Sequence, residues 1–259
     1  MRIVVKVGTS TLAHETGKLN IKRTGELCRV LSDLKNAGNE VILVSSGAIG
    51  MGVGKLGLHE KPKDIPTKQA AAAVGQCELM YTYDRMFTEY GHTVAQILLT
   101  GSDLSAEDRH ENFNNTLSRL LELGALPVIN ENDTIATEEI KVGDNDTLSA
   151  MVAVSIDADL LILLSDIDGL YTADPHKDQN AKLIPKVDAL TPEIMGLGGR
   201  EGSSLGTGGM KTKLHAAEIC MDAGCGMIIM NGTDPSRLYD LFDGVEVGTH
   251  FVGSREKSC

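Results

Sequence analysis

A mostly parallel β-sheet covered by helices on both faces is the fold class this sequence predicts, on three observations. Short apolar runs recur along the chain, separated by segments with helical periodicity. These runs are continuously apolar, as strands buried on both faces are. They repeatedly end in Gly, Ser, Asn or Asp, the residues that close strands and open helices. The 259 residues are enough to bury a large core, and one domain, possibly two-lobed, is expected.

The first run, Ile3-Val4-Val5 with Val7, reads as a buried strand ending in Lys6 and the turn Gly8-Thr9-Ser10-Thr11. A lysine at a strand end is either a surface charge or a phosphate contact. Beside a turn whose amides and hydroxyls can cradle phosphate, the second reading is favoured. Asn20 is placed to cap a helix to about residue 37, with Leu27, Val30, Leu31 and Leu34 on one face and Gly38 as its stop. A second strand, 40–44, delivers Ser45-Ser46-Gly47-Ala48-Ile49-Gly50-Met51-Gly52. That stretch fails the P-loop pattern, because Leu56 follows Gly54-Lys55 and Ile49 stands where a glycine is required. Its glycines also miss the dinucleotide-binding spacing. Two readings remain: a flexible turn whose free amides suit a small carboxylate, or a simple helix start.

After a loop over 61–66, a long helix is expected from about 67 to 90, with Leu79, Met80, Tyr83, Met86 and Phe87 in its second half. Residues 70–73, all alanine, suit a helix–helix or subunit contact, although helix propensity explains them as well. A strand over 92–99 follows, and Ser105 is expected to cap a helix that ends at Gly124.

Residues 127–151 then gather two acid-amide clusters around one short excursion. The run 125–129 reads as a buried strand, with Asn130, Asn132 and Asp133 where it should end. Ligands of open α/β sheets sit at such carboxyl ends. The second cluster, Gly143-Asp144-Asn145-Asp146-Thr147, precedes the apolar-periodic run 148–156 and so lies at a helix start. Its carboxylates are caps or functional groups; two clusters bracketing one excursion favour function. Glu138, Glu139 and Lys141 read as a solvated surface.

A strongly apolar strand over 159–164 ends in Ser165-Asp166-Ile167-Asp168-Gly169. Turn chemistry at 172–175 and a short ribbon over 182–187 follow. Six glycines between Gly196 and Gly208 suit a lid over a nucleotide, and Met210-Lys211-Thr212-Lys213 opens a helix ending near Gly224. Lys213, one turn in, could reach a phosphate at the helix start or simply face solvent. A strand over 227–230, a helix from about 235 and a strand over 249–252 complete the pattern.

Composition narrows the function classes. Trp is absent and aromatics make up only 3%, against base-stacking platforms, and the formal charge of −12 argues against nucleic-acid and anionic-membrane partners. A polyanionic substrate would have to be held by a few well-placed cations. Cys28, Cys77, Cys220, Cys225 and Cys259 show no CxxC or Cys/His spacing, so reduced structural thiols and no protein metal-ligand set are expected. Only three apolar residues separate Met1-Arg2 from Lys6, and no run approaches a membrane span, so a cytoplasmic location is expected.

Six stretches occur in order over about 210 residues: VVKVGTSTL, VSSGAIGMG, NENDTI, VGDNDTLSA, LLSDIDGLYTADP and GTGGMKTK. On these the chain resembles the bacterial glutamate 5-kinases of the amino acid kinase family. The resemblance implies a three-layer αβα sandwich over residues 1–253, with a substrate-binding part at about 1–155, a nucleotide-binding part at about 156–253 and a tail at 254–259. It implies ATP- and Mg²⁺-dependent phosphorylation of the side-chain carboxylate of L-glutamate, the first step of proline biosynthesis. Carried over by motif, Lys6, Gly8, Ser165, Asp166, Thr207, Gly208, Gly209, Met210, Lys211, Thr212 and Lys213 would bind ATP. Ser46, Gly47, Ala48, Asn130, Asp133 and Asn145 would bind glutamate, and Lys6, Lys213 and Asp146 would be catalytic, Asp146 by organising the two lysines. Proline would be a feedback inhibitor and the assembly a homodimer or homotetramer.

The chain departs from the family pattern twice. It stops before the C-terminal PUA-type domain usual in bacterial members, and it has Ser165 where many relatives have Thr. Kinases acting on N-acetylglutamate, aspartate, carbamate or UMP are the nearest alternatives, and a nucleotide-binding sensor without turnover is the alternative of another class. A carboxylate acceptor with a reference pKa of about 4.3 is already ionised at neutral pH and needs no general base. Charge neutralisation and positioning would then supply the rate.

Overall fold

The computed structural model describes residues 1–14, 18–60, 62–136, 145–175, 177–199 and 209–254. Its centre is an eight-stranded sheet made of β1 (Arg2–Val7), β2 (Glu40–Val44), β3 (Val94–Leu99), β4 (Leu126–Glu131), β5 (Leu160–Ser165), β6 (Lys186–Val187), β7 (Gly226–Asn231) and β8 (Thr249–Phe251). The spatial order is β3-β4-β2-β1-β5-β7-β8-β6, and every pairing is parallel except that of β7 with β8. Register aligns the strand ends. Lys6 stands opposite Val44, Val7 opposite Leu164, Leu99 opposite Glu131, and Ser165 opposite Asn231.

Ten helices flank the sheet among the described residues: α1 (Thr9–Leu12), α2 (Ile21–Asn36), α3 (Ala48–Lys55), α4 (Ile65–Thr88), α5 (Gly101–Ser105), α6 (Glu107–Glu122), α7 (Asn145–Ser155), α8 (Pro192–Gly196), α9 (Met210–Asp222) and α10 (Arg237–Phe242). The strands are apolar on both faces, so alternate side chains enter different cores. Val4, Ile42, Ile129 and Leu161 pack with Leu117 of α6, Leu148 and Val152 of α7, and Leu214 of α9. Val5, Leu43, Val128 and Ile162 pack with Leu27 and Leu31 of α2, Leu79, Tyr83 and Phe87 of α4, and Leu238 of α10. The three-layer α/β arrangement is therefore as expected.

Local chemistry moves several boundaries. Asn20 does cap α2, accepting from Arg23 N, and Gly38 follows with φ of 93°. α4 starts at Ile65 rather than 67, because Asp64 accepts from Thr67 N at 2.9 Å and Pro66 fits the first turn. Ser105 caps nothing: its hydroxyl donates back to Gly101 O as the last residue of α5, and Ala106 precedes α6 without a side-chain cap. β4 continues two residues further than its apolar run, placing Asn130 inside the strand. α7 starts at Asn145, so Asn145 and Asp146 belong to its first turn. Only Lys186–Val187 of the expected ribbon pairs with β8, while Leu183 bridges Tyr171. Residues 192–199 are helical rather than the start of a glycine loop, and 200–208 lie outside the described residues.

Of the 70–73 alanines, Ala71 and Ala72 face a neighbour within the chain, while Ala70 and Ala73 are exposed. Ala71 and Ala72 are buried, and α3 and α4 approach until backbone meets backbone. A β-carbon on Gly52 would lie 1.8 Å from Ala71 O, and one on Gly75 would lie 1.7 Å from Ala48 O. Overpacking a well-packed contact typically costs about 1–3 kcal/mol. Gly75→Ala is therefore expected to lower the unfolding free energy by about 2 kcal/mol or more, measured by urea denaturation. Gly25→Ala in α2, where an added β-carbon meets nothing within 4 Å, is expected to raise it by up to about 1 kcal/mol. Equal effects at the two positions would contradict the backbone contact.

Candidate active site

Four central strands, β4, β2, β1 and β5, end side by side, and the first turn of α7 stands over them. Its second residue, Asp146, is fully buried. Lys6 Nζ, from near the end of β1, donates to Asp146 Oδ1 at 2.5 Å. Lys213 Nζ, from the first turn of α9, donates to Oδ2 at 3.0 Å, and Thr212 Oγ1 lies 3.2 Å from the same oxygen. Both lysines are almost as deeply buried, at 9% and 6% exposure, so neither is a surface charge. Burial opposes ionisation of Asp146, but the two ammonium charges and their hydrogen bonds outweigh it and hold the carboxyl well below the usual carboxylate range. Such a carboxylate is a poor base. One carboxylate thus holds two ammonium groups at the carboxyl ends of the central strands.

The residue before Asp146 points into a second network. Asn145 Nδ2 lies 2.7 Å from Ser45 O, 2.8 Å from Ser46 Oγ and 3.0 Å from Asn130 Oδ1. Asn130 Oδ1 also accepts from Glu131 N at 2.9 Å, while its Nδ2 donates to Gln76 Oε1 of α4 at 2.9 Å. Gly47, between Ser46 and Ala48, has φ of 99°, a left-handed conformation cheap only for glycine, and turns the chain from β2 into α3. The turn of 46–48 thus opens a helix, as the second reading of the sequence had it.

Three of the expected substrate residues, Ser46, Asn130 and Asn145, are directly hydrogen-bonded to one another's groups, and Gly47 and Ala48 adjoin them. Asp133 is half-buried in the turn that follows β4. Gly8 lies beside the Lys6 ammonium, a β-carbon there falling 3.7 Å from Nζ. Ser165 and Asp166 stand at the end of β5, on the opposite side of β1 from the amide network, with Ser165 Oγ donating to Asp166 Oδ1 at 3.2 Å. Gly209 precedes α9, Met210, Lys211 and Thr212 form its start, and Lys211 is exposed. Thr207, Gly208 and the excursion containing Glu138, Glu139, Lys141 and Asp144 lie outside the described residues.

Sequence reasoning passed over Gln76 and gave Ser45 and Tyr83 no role of their own beside the turn. Ser45 Oγ and Tyr83 OH pair at 2.8 Å beneath the turn. Gln76 had a signal available: a polar residue on the helix face that also carries Ala72, Leu79 and Tyr83. Among the described residues no group of three or more His, Cys, Asp or Glu side chains could hold a metal ion, and no helix is long and apolar enough to cross a membrane.

Residues 1–231 match the amino acid kinase family. Curated relatives include the glutamate 5-kinase of Carboxydothermus hydrogenoformans, 54% identical over 99% of this chain and 69% of its own length. Those of Clostridium tetani and Clostridium perfringens are 55% and 52% identical, over 96% and 98% of this chain and 93% and 96% of theirs. The chain therefore spans about two thirds of some relatives and nearly all of others. Among solved structures, the crystal structure of a T. acidophilum isopentenyl phosphate kinase product complex matches with a TM-score of 0.67 and 18% identity, covering 96% of this chain and 99% of that one. That likeness concerns the fold.

Asp146→Asn keeps the side chain's shape but leaves two buried ammonium groups without their anion. Breaking a buried pair in this way typically costs about 3–5 kcal/mol, and that loss of stability is expected at neutral pH. Because the folded carboxyl is depressed, its contribution is complete above the unfolded value of about 3.9 and is lost as pH falls from there toward the lower folded value. Urea unfolding across a pH series should show a gap between wild type and variant that stays constant from about pH 8 to 5 and narrows only in stronger acid. A gap that closed near neutrality would mean that the lysines do not hold this carboxylate.

Proposed function

The chain belongs to the amino acid kinase family, and from that premise we propose that it transfers the γ-phosphoryl group of ATP to the side-chain carboxylate of L-glutamate, giving L-glutamate 5-phosphate, the first step of proline biosynthesis. One observation carries this reading furthest: consecutive residues of α7 serve two adjoining clusters. Asn145 ties together the Ser46–Asn130 amides, and Asp146 gathers the two lysines. Substrate and phosphoryl group would thus meet across a single peptide unit.

A glutamate carboxylate oxygen attacks the γ-phosphorus, the bond to the β,γ-bridging oxygen breaks, and ADP leaves. No proton moves, because the acceptor is already ionised. The task is to hold an anionic nucleophile against an anionic phosphate, so fixed positive charge and alignment supply the rate. Lys6 and Lys213 take up the charge that shifts in the transition state, and Asp146 fixes their positions. The nucleotide is assigned to Gly8, Ser165, Asp166, Gly209, Met210, Lys211 and Thr212, with Thr207 and Gly208 by motif alone. Asp133 suits the substrate ammonium, while Ser46, Gly47, Ala48, Asn130 and Asn145 suit its carboxylates. Mg²⁺, bound together with the nucleotide, would add to the neutralisation of phosphate charge. This divides the chain into a glutamate part at about 1–155 and a nucleotide part at about 156–253. We place the enzyme in the cytoplasm, with its substrates, as a dimer or tetramer.

Purified protein with ATP, Mg²⁺ and L-glutamate is expected to form an acyl phosphate that hydroxylamine traps as a coloured hydroxamate. N-acetylglutamate leaves Asp133 without its cation, a loss of about 2–5 kcal/mol, and should be poorer by at least roughly thirtyfold in kcat/KM. Faster hydroxamate formation with N-acetylglutamate or aspartate would overturn the substrate assignment. Lys6→Ala and Lys213→Ala should each lower kcat by roughly two to three decades while changing the KM for glutamate much less. Retention of more than about a third of kcat would remove that lysine from the mechanism.

Proline shares the α-carboxylate and amino nitrogen of glutamate, so inhibition competitive with glutamate and weakened by Asp133→Ala is expected. Inhibition noncompetitive with glutamate and indifferent to Asp133 would place proline elsewhere.

A further inference from the structure

Resting on the glutamate reading, we infer that Gln76 is a further substrate-binding residue, whose side-chain amide donates a hydrogen bond to a carboxylate oxygen of the amino acid. The orientation of this amide follows from a backbone group. Glu131 N–H donates to Asn130, so the atom it meets must be the oxygen Oδ1, and Asn130 Nδ2 must be the donor turned toward α4. The atom of Gln76 that meets it is then Oε1. What remains is Nε2, a two-hydrogen donor in a side chain 8% exposed, buried and without a partner among the described residues. Buried donors are nearly always satisfied, and leaving one unpaired costs about as much as a lost hydrogen bond.

Three observations place this donor at the glutamate site. Gln76 is bonded to Asn130, which is bonded to Asn145, which reaches Ser46 Oγ. Its neighbour Gly75 abuts the carbonyl of Ala48, the last residue of the 46–48 turn. Gln69, two turns earlier on the same face of α4, has Nε2 3.4 Å from Ala136 O, so the segment 130–136 with Asp133 runs along that face between the two glutamines. Within this network Asn130 Oδ1 already takes Glu131 N and Asn145, and Ser46 Oγ takes Asn145. An oxygen brought by the substrate satisfies Nε2 without disturbing any of these bonds.

Gln76→Glu tests this directly. It is isosteric and retains an oxygen for Asn130 Nδ2, but puts an acceptor where the donor was. The expected result is a KM for L-glutamate raised at least about tenfold, with kcat at saturation and the KM for ATP within about threefold of wild type. Should the introduced carboxyl prevent folding, judged by circular dichroism and melting temperature, Gln76→Met in an Asn130→Ala background, where the bond to Asn130 is already gone, replaces it, with the same expectation relative to Asn130→Ala alone. A KM for glutamate within about twofold of wild type, or an equal rise in the KM for ATP, would overturn the proposal and leave Gln76 as a support for Asn130. Hydroxamate formation by wild type with glutamate is the accompanying control: if wild type forms none, the glutamate assignment itself fails and this inference falls with it.

Discussion

Everything at the centre of this molecule depends on one buried carboxylate shared by two buried ammonium groups. An ion triad of this kind is a poor way to stabilise a fold, because desolvating three charges costs about as much as their attraction returns, and apolar side chains of similar size would serve stability equally well. What it does is hold two ammonium groups in fixed positions, away from bulk water, in a chain whose formal charge is −12. Without the Asp146 carboxylate, two ammonium groups would stay buried without the anion they share, which is costly.

The sheet makes that arrangement possible. β1 is central, and the chain builds outward to β2, β4 and β3 on one side before crossing to β5 and β7 on the other. Residues 1–136 therefore supply the Ser46 and Asn130 side of the site, later residues supply Ser165 and α9, and Lys6 sits at the division. Ligands of open α/β sheets bind where the order of strands reverses, and this is such a place. α7 crosses it with its first turn and touches both sides through neighbouring side chains.

Much of this fold was legible in the sequence, because long apolar runs and strong helical periodicity are local signals. What escaped was set by contacts the chain makes elsewhere. β4 runs past its last apolar residue because β3 offers partners as far as Glu131, so Asn130 reads as loop in the sequence and is strand in space. Ser105 resembles a cap, but the turn of α5 claims its hydroxyl. Lys6, Asp146 and Lys213 are separated by 140 and 67 positions, and neither spacing nor composition could bring them together. Their grouping was expected through family resemblance. Gln76 carried a local signal, a polar group on a buried helix face, but its partner Asn130 lies 54 residues away.

The antiparallel pairing of β8 with β7 fixes where the described chain ends. β8 runs back along β7, from Thr249 opposite Ile229 to Phe251 opposite Met227, and Gly253 then packs against Gly224 and Cys225, ahead of β7. Met1 sits at the corresponding end of β1, its carbonyl accepting from Glu40 N. Both ends of the described chain thus emerge from the side of the sheet remote from Asp146 and its two lysines, a strand's length of about 20 Å away. A tether, a fluorescent fusion or an appended module joined after residue 254 would start from the side of the sheet away from the candidate site.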